Sequence, residues 1–291
     1  MHPAPSVILF TVLSGAGFGY LAFLALGFPA VAGWAGFAAW GFGYAMAVSG
    51  LLASTFHLGN PQRVMLAFSQ WRSSWLSREA WTSVAALTAL APMALSDWLG
   101  LGLLRGFGLV GAAFCAATVI STAMIYAQMK TVPRWRDWST PVMFAAFAVA
   151  GGGVLAAPPV WAAALALAPG AALIVSFRRG DGAFAAAGHS LGSATGLDRL
   201  GQPSVFEQPH TGGNYLMREM IHVVGRRHAA RLRPIALLLA AAVPALLLVI
   251  LPVPLARPLA FAIHLAGALA ARWLFFAEAE HVVGLYYGKR G

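Results

Sequence analysis

The stretch Ser54-Thr-Phe-His57-Leu-Gly-Asn-Pro61-Gln-Arg63, followed by Ser69-Gln-Trp-Arg-Ser-Ser-Trp-Leu-Ser-Arg-Glu79, sets polar and ionisable groups directly between two long apolar segments. Upstream, Val31 to Phe56 carries no charge; downstream, Ala80 to Leu99 carries only Asp97. Each is close to the roughly 20 residues that an α-helix needs to cross about 30 Å of hydrocarbon. The polar stretch therefore reads as a membrane boundary between two spans, and polar chemistry at such a boundary usually has a function.

Composition agrees. The chain is 59% hydrophobic and only 10% charged, with a mean hydropathy of +0.74, far beyond what a soluble core of this length requires. Working outward, apolar runs occur at Val7 to Phe28, Val31 to Phe56, Ala80 to Leu99, Phe107 to Met129, Pro141 to Ala157, Val160 to Phe177, Pro234 to Val253 and Leu259 to Ala277. They predict an all-α integral membrane protein of eight transmembrane helices in a single membrane domain over residues 1–291. The fifth and sixth runs are short and meet at Pro158-Pro159, a tight turn between antiparallel helices. The first run lacks a basic residue before it, since no Lys or Arg precedes Arg63, and so reads as a retained helix rather than a cleaved signal. Cys115 lies inside the fourth run, where one thiol forms neither an internal disulfide nor a metal motif.

Eight crossings put the N-terminus, the loops after the second, fourth and sixth helices, and the C-terminus on one side. Arg105 and Arg257 fall on the other side and Arg272 within a span; every other Lys and Arg falls on the first side. The positive-inside rule predicts that this face, with both termini, is cytoplasmic. The formal charge of +10 is thus a matter of topology and anionic lipid, or of docking an acidic soluble partner, with Arg63, Arg134, Arg136, Arg218, Arg226 and Arg227 as candidate contacts; nothing suggests nucleic acid. The long connection at 178–233 is a cytoplasmic loop within the membrane domain. Its second half, Asn214 to His228, repeats apolar groups through Leu216, Met220 and Val223 or Val224, which predicts an amphipathic helix on the interface or against a partner.

Of nine acidic residues, Asp97, Asp137, Asp181, Asp198, Glu207 and Glu219 fall in loops or on the amphipathic segment. Glu79 opens the third helix after Ser77, where its bland role is to complement the positive helix end. Glu278, Glu280 and His281 close the eighth helix, His57 closes the second, and Arg272 lies about 9 Å deeper than Glu278 at 1.5 Å per residue. The charge-derived topology brings His57, Glu79 and the Glu278 to His281 group to one depth. Such a set suits a quinone, whose interconversion with quinol moves two electrons and two protons and needs proton-exchanging partners beside an apolar cleft. No cysteine cluster holds iron and sulfur, so the electrons would come from another subunit. A haem between His57 and His281, and a secondary transporter using the same ionisable groups, are the other readings these residues leave open.

At these residues the chain resembles a known family. His57-Leu-Gly-Asn-Pro61, Arg72-Ser-Ser-Trp-Leu-Ser-Arg-Glu79, Thr131-Val-Pro-Arg-Trp135 with Trp138-Ser-Thr-Pro141, and Phe276-Ala-Glu-Ala-Glu-His-Val-Val-Gly-Leu-Tyr-Tyr-Gly288 are similar to motifs of the dimethyl sulfoxide reductase membrane-anchor family. The resemblance implies eight helices, no haem, and menaquinone or ubiquinone as substrate. It also implies two partners: a four-cluster iron–sulfur subunit and a molybdopterin catalytic subunit that performs the chemistry this chain does not. It assigns His57 and Glu79 to the quinone site and matches Glu280 more loosely, so that either Glu278 or Glu280 serves there; Trp71, Arg72, Arg272 and His281 complete the candidate set. In reductases of the family the docking face is periplasmic, whereas the charge count here places it in the cytoplasm of a bacterial inner membrane. The His2-Pro-Ala-Pro-Ser6 start and the Glu207 to Leu216 loop are closer to the quinone-linked sulfite dehydrogenase branch, implying sulfite oxidation coupled to quinone reduction; a quinol-oxidising reductase anchor is the alternative.

Overall fold

The computed structural model describes residues 2–57, 60–102, 105–204, 206–207, 216, 220 and 226–287. Among them there is no strand. The main helices are α1 (Pro5–Ala25), α2 (Gly33–Ala53), α3 (Trp75–Trp98), α4 (Arg105–Ala127), α5 (Ser139–Ala156) and α6 (Pro159–Gly180), then α7 (Arg226–Leu237), α8 (Val243–Ile250) and α9 (Val253–Ala277). A π-helical turn, Leu238–Ala242, joins α7 to α8 in one rod. Short 3₁₀ helices at Ser54–His57 and Pro61–Phe68 carry the chain from α2 towards α3, and another, Val282–Tyr287, follows α9.

Seven of these rods are long and apolar enough to cross a membrane: Pro5–Ala25, Gly33–Phe56, Gly106–Ala127, Ser139–Ala156, Pro159–Gly180, His228–Ile250 and Val253–Ala277. The third, α3, has 24 residues but carries Arg78, Glu79 and Asp97 and is not among them. Three helices start well before the apolar runs suggest. Helix α3 begins at Trp75, so Ser74 rather than Ser77 precedes it and Glu79 lies past its first turn instead of opening it. Arg226 to Arg233 is helical although strongly basic, and α9 begins at Val253 because Pro254 occupies its first turn, where a missing N–H costs nothing. The amphipathic segment expected at Asn214 to His228 lies outside the described residues apart from Leu216, Met220 and the start of α7.

Helix α1 occupies the centre, packed against α2, α4, α5 and α9. Small residues make this possible, as is usual where helices pack without a hydrophobic drive from water. A Cβ placed on Gly152 of α5 would lie 2.4 Å from the Gly19 carbonyl carbon of α1, so only glycine lets the two backbones meet there. On the other flank, α3 lies along α4, and α6 and α9 hold the α7–α8 rod between them. At one end of the bundle Arg257 donates to the Leu155 and Ala157 carbonyls at 2.5 and 2.8 Å, satisfying acceptors that the end of α5 leaves open. Asp97, expected in a loop, is instead buried in the last turn of α3 and accepts from Trp40 Nε1 at 3.0 Å, tying α2 to α3.

Candidate functional site: a buried carboxyl and guanidinium inside the bundle

Along α3 the buried positions Glu79, Ser83, Ala86, Leu90 and Met93 recur every three or four residues and form one face, laid against α4. Arg78, one residue away, points outwards, with its guanidinium 4.2 Å from the Trp75 ring and donating to the Trp71 and Arg72 carbonyls at 3.1 and 2.8 Å. Glu79 is thus drawn into the bundle by register, at 4% exposure. Its carboxyl meets the Thr122 hydroxyl of α4, which also lies 3.0 Å from the Thr118 carbonyl. A hydroxyl has one proton to give. Thr122 donates either to an ionised Glu79 or to the Thr118 carbonyl, and in the second arrangement a protonated Glu79 donates to Thr122. The pair can hold or release a proton without moving a heavy atom.

Arg272 comes from α9 and is 3% exposed. Its guanidinium lies 3.5 Å from the centre of the Phe144 ring and 5.3 Å from that of Phe147, an attraction that partly replaces lost hydration. Its Nη1 has no hydrogen-bond partner. Beside it is a cavity of about 20 Å³ lined by Thr11, Ser14, Thr122, His264 and Arg272 with Phe18 and Val119, enough for about one water molecule. Tyr126 lies within electrostatic reach of both Glu79 and Arg272 and packs edge-on against Trp135 and Phe275. His264 also reaches the π turn: its Nδ1 lies 2.8 Å from the Ala240 carbonyl, where the regular ladder is interrupted. Gly267 of α9 lets that turn come close, since a Cβ there would lie 2.1 Å from the Ala240 nitrogen.

The structure places the other expected residues elsewhere. Glu278, just past the end of α9, accepts from Arg134 at 2.5 Å and from Arg233 at 2.6 Å. Asp181 accepts from the same two arginines at 3.1 and 2.5 Å, and Arg233 and Arg134 hold its carboxyl below the usual range. Two cations and two anions so close one end of the bundle, joining the α4–α5 loop, the end of α6, α7 and the end of α9. Arg134 is consequently part of this knot, its side chain 11% exposed. Glu280 lines the same hollow, about 220 Å³ in volume. His281 is half-buried and accepts from the Val283 N–H at 3.0 Å; burial lowers its pKa. Trp71 and Arg72 are exposed, the Arg72 guanidinium 5.3 Å from the Trp71 ring. Trp71 lines an open notch with Arg78, Trp81 and Thr82.

Arg63 and Arg136 are exposed. Nearby, Asp137 accepts from Arg179 at 2.7 and 2.9 Å and from the Ser139 N–H; although burial alone would raise its pKa, these contacts hold it at about 2. The side chains of His57, Arg226 and Arg227, and all of Arg218, lie outside the described residues. Glu79 and Arg272 are therefore the expected residues that the structure buries in the interior and links through Thr122, which bonds Glu79 and lines the cavity beside Arg272, with Tyr126 near both. Thr122 gives no signal in the sequence, since a lone hydroxyl in an apolar run normally bonds its own helix. Among the described residues no group of three His, Cys, Asp or Glu side chains could hold a metal ion.

A helical bundle with seven apolar rods, Glu79 and Arg272 among the ionisable groups buried in its interior, and an ion-paired end is a multi-pass membrane protein. The sequence model of the DMSO reductase anchor subunit (DmsC) family matches residues 1–168. Over 99% of both chains, the protein is also 33% identical to a sulfite dehydrogenase subunit of Allochromatium vinosum. The chain belongs to the DMSO reductase anchor subunit family. No solved structure matches it.

Proposed function

We propose that this chain is the quinone-reactive membrane anchor of a three-subunit molybdoenzyme, docking an iron–sulfur subunit and passing electrons from sulfite to the quinone pool. Sulfite oxidation to sulfate releases two electrons and two protons, which is what converts one quinone to quinol. The observation that carries the reading is Glu79, a carboxyl buried in a membrane protein with a hydroxyl as its hydrogen-bond partner. A structural ion pair would explain a buried charge, but a carboxyl paired with a proton-sharing Thr122 suits a group that exchanges protons with a substrate. Arg272 offers a second donor, on the small cavity that Thr122 also lines. The relative named as a sulfite dehydrogenase subunit, similar end to end, favours sulfite as donor; the match to the DMSO reductase anchor family keeps a quinol-oxidising complex as the second reading.

Purification through a tag on this chain tests the assembly. Iron, molybdenum and sulfite-dependent quinone reduction are expected to co-purify with it; a chain recovered alone, with neither metal, would sink the proposal.

In this reading α3 is an eighth crossing, with its polar first turn at the boundary, and both termini are cytoplasmic. The knot of Arg134, Asp181, Arg233 and Glu278 then lies at the cytoplasmic end, with the exposed Arg63 and Arg136, as the positive-inside rule requires. A reporter active only in the periplasm, fused after Gly291, is expected to stay silent, and activity would overturn the orientation.

A further inference from the structure

Two hollows share a wall in the middle of the bundle. One is the enclosed cavity beside Arg272 and Thr122. The other is a groove of about 260 Å³ on the outer face of the bundle between α1, α4 and α5, bordered by Ala22, Phe23, Ala116, Ile120, Ala145 and Val149. Phe18 and Val119 line both. We infer that the groove is the lateral entry and tail-binding site of an isoprenoid quinone, whose head group passes Phe18 and Val119 to reach Arg272 and Thr122. This inference rests on the quinone reading above and adds the route and the gate.

Size argues first. The interior cavity, about 20 Å³, holds no ring, whereas ordinary ligand pockets start at about 300 Å³. Joined to the groove by a rotation of Phe18 and Val119, it approaches that bound. Chemistry argues second. The groove is lined by apolar groups and by small residues such as Gly19, Ala22, Ala116 and Ala145, which leave room for a branched hydrocarbon tail at the lipid-facing surface. A lipid acyl chain would fill the groove equally well, yet it brings no acceptor for the unpartnered Arg272 Nη1 behind the wall. A quinone carbonyl does, and a charged donor makes a strong hydrogen bond to it.

The quinone takes two electrons from the docked iron–sulfur subunit and two protons, one from Glu79, which shares a hydrogen bond with Thr122, and one from water; the two protons that sulfite oxidation releases replace both. It leaves as quinol by the same groove.

Ala116 and Ile120 lie on the exposed face of α4, so either can be changed without entering the core. In the purified complex, Ala116→Trp is expected to raise KM for a long-tailed quinone at least about tenfold, a loss of one modest binding interaction, with little change for a tail-less quinone. Leu109→Trp, on the exposed surface of the same helix but outside the groove, is expected to leave both near wild type and so serves as the assembly control. An unchanged KM for the long-tailed quinone in Ala116→Trp overturns the groove. A wild-type complex inert towards every quinone would instead overturn the function on which the groove depends.

Discussion

Glu79→Gln is expected to lower quinone turnover by about a hundredfold or more, within the usual contribution of a positioned proton-transfer group, while the complex still assembles. Glutamine keeps the shape and still accepts from Thr122 at the position where Glu79 is buried against α4, so the packing of α3 survives. What it loses is the exchangeable proton, and with it the two-state hydroxyl of Thr122. The measurement is quinone reduction per assembled complex, normalised to bound iron. Because the loss is in the proton step, kcat should fall far more than KM rises. Wild-type turnover in Glu79→Gln would remove Glu79 from the reaction.

Glu278→Ala should act in the opposite manner, on stability rather than on turnover. Its carboxylate, only 6% exposed, holds both Arg134 and Arg233, and its loss leaves two guanidiniums facing Asp181 alone. Removing one partner from a buried ionic cluster costs about 3 kcal/mol or more, which corresponds to a fall in apparent Tm of several degrees in detergent. The neighbouring Asp181→Ala should cost less, about 1 kcal/mol or below, because Asp181 is 50% exposed and water screens its pairing. Thermal unfolding of the two variants side by side checks the order. Equal Tm values would mean that the knot does not hold α7 to the end of α9.

The outline of the fold was legible because a membrane span has to be written in a continuous apolar run. What escaped was everything set by contact across distance in the chain. Glu278 and Glu280 looked alike at the end of an apolar run, and nothing local reveals that Glu278 meets an arginine 144 residues earlier. The segment at 229–233 reads as the end of a loop because its arginines interrupt the apolar run, although Arg233 is met by carboxylates from the ends of α6 and α9. Arg272 was visible as the one cation within a span, and Glu79 as the carboxylate next to a helix start; the depth to which each is drawn depends on helix register. The π turn at Leu238–Ala242, and the contact it gives His264, leaves no trace in an unbroken run of Leu and Ala.

The central position of α1 has a consequence for biogenesis. The ribosome makes α1 ahead of α2 to α9, and its partner α5 is completed some 130 residues later, a delay of order ten seconds at 5–20 residues per second. Until then α1 must live in lipid without that partner. Two of its hydroxyls are arranged for that interval: Thr11 donates to the Val7 carbonyl at 3.0 Å and Ser14 to that of Phe10 at 2.6 Å, so neither waits unmet in hydrocarbon. Helices carrying Glu79 and Arg272 arrive afterwards, and insert beside an apolar post already in place.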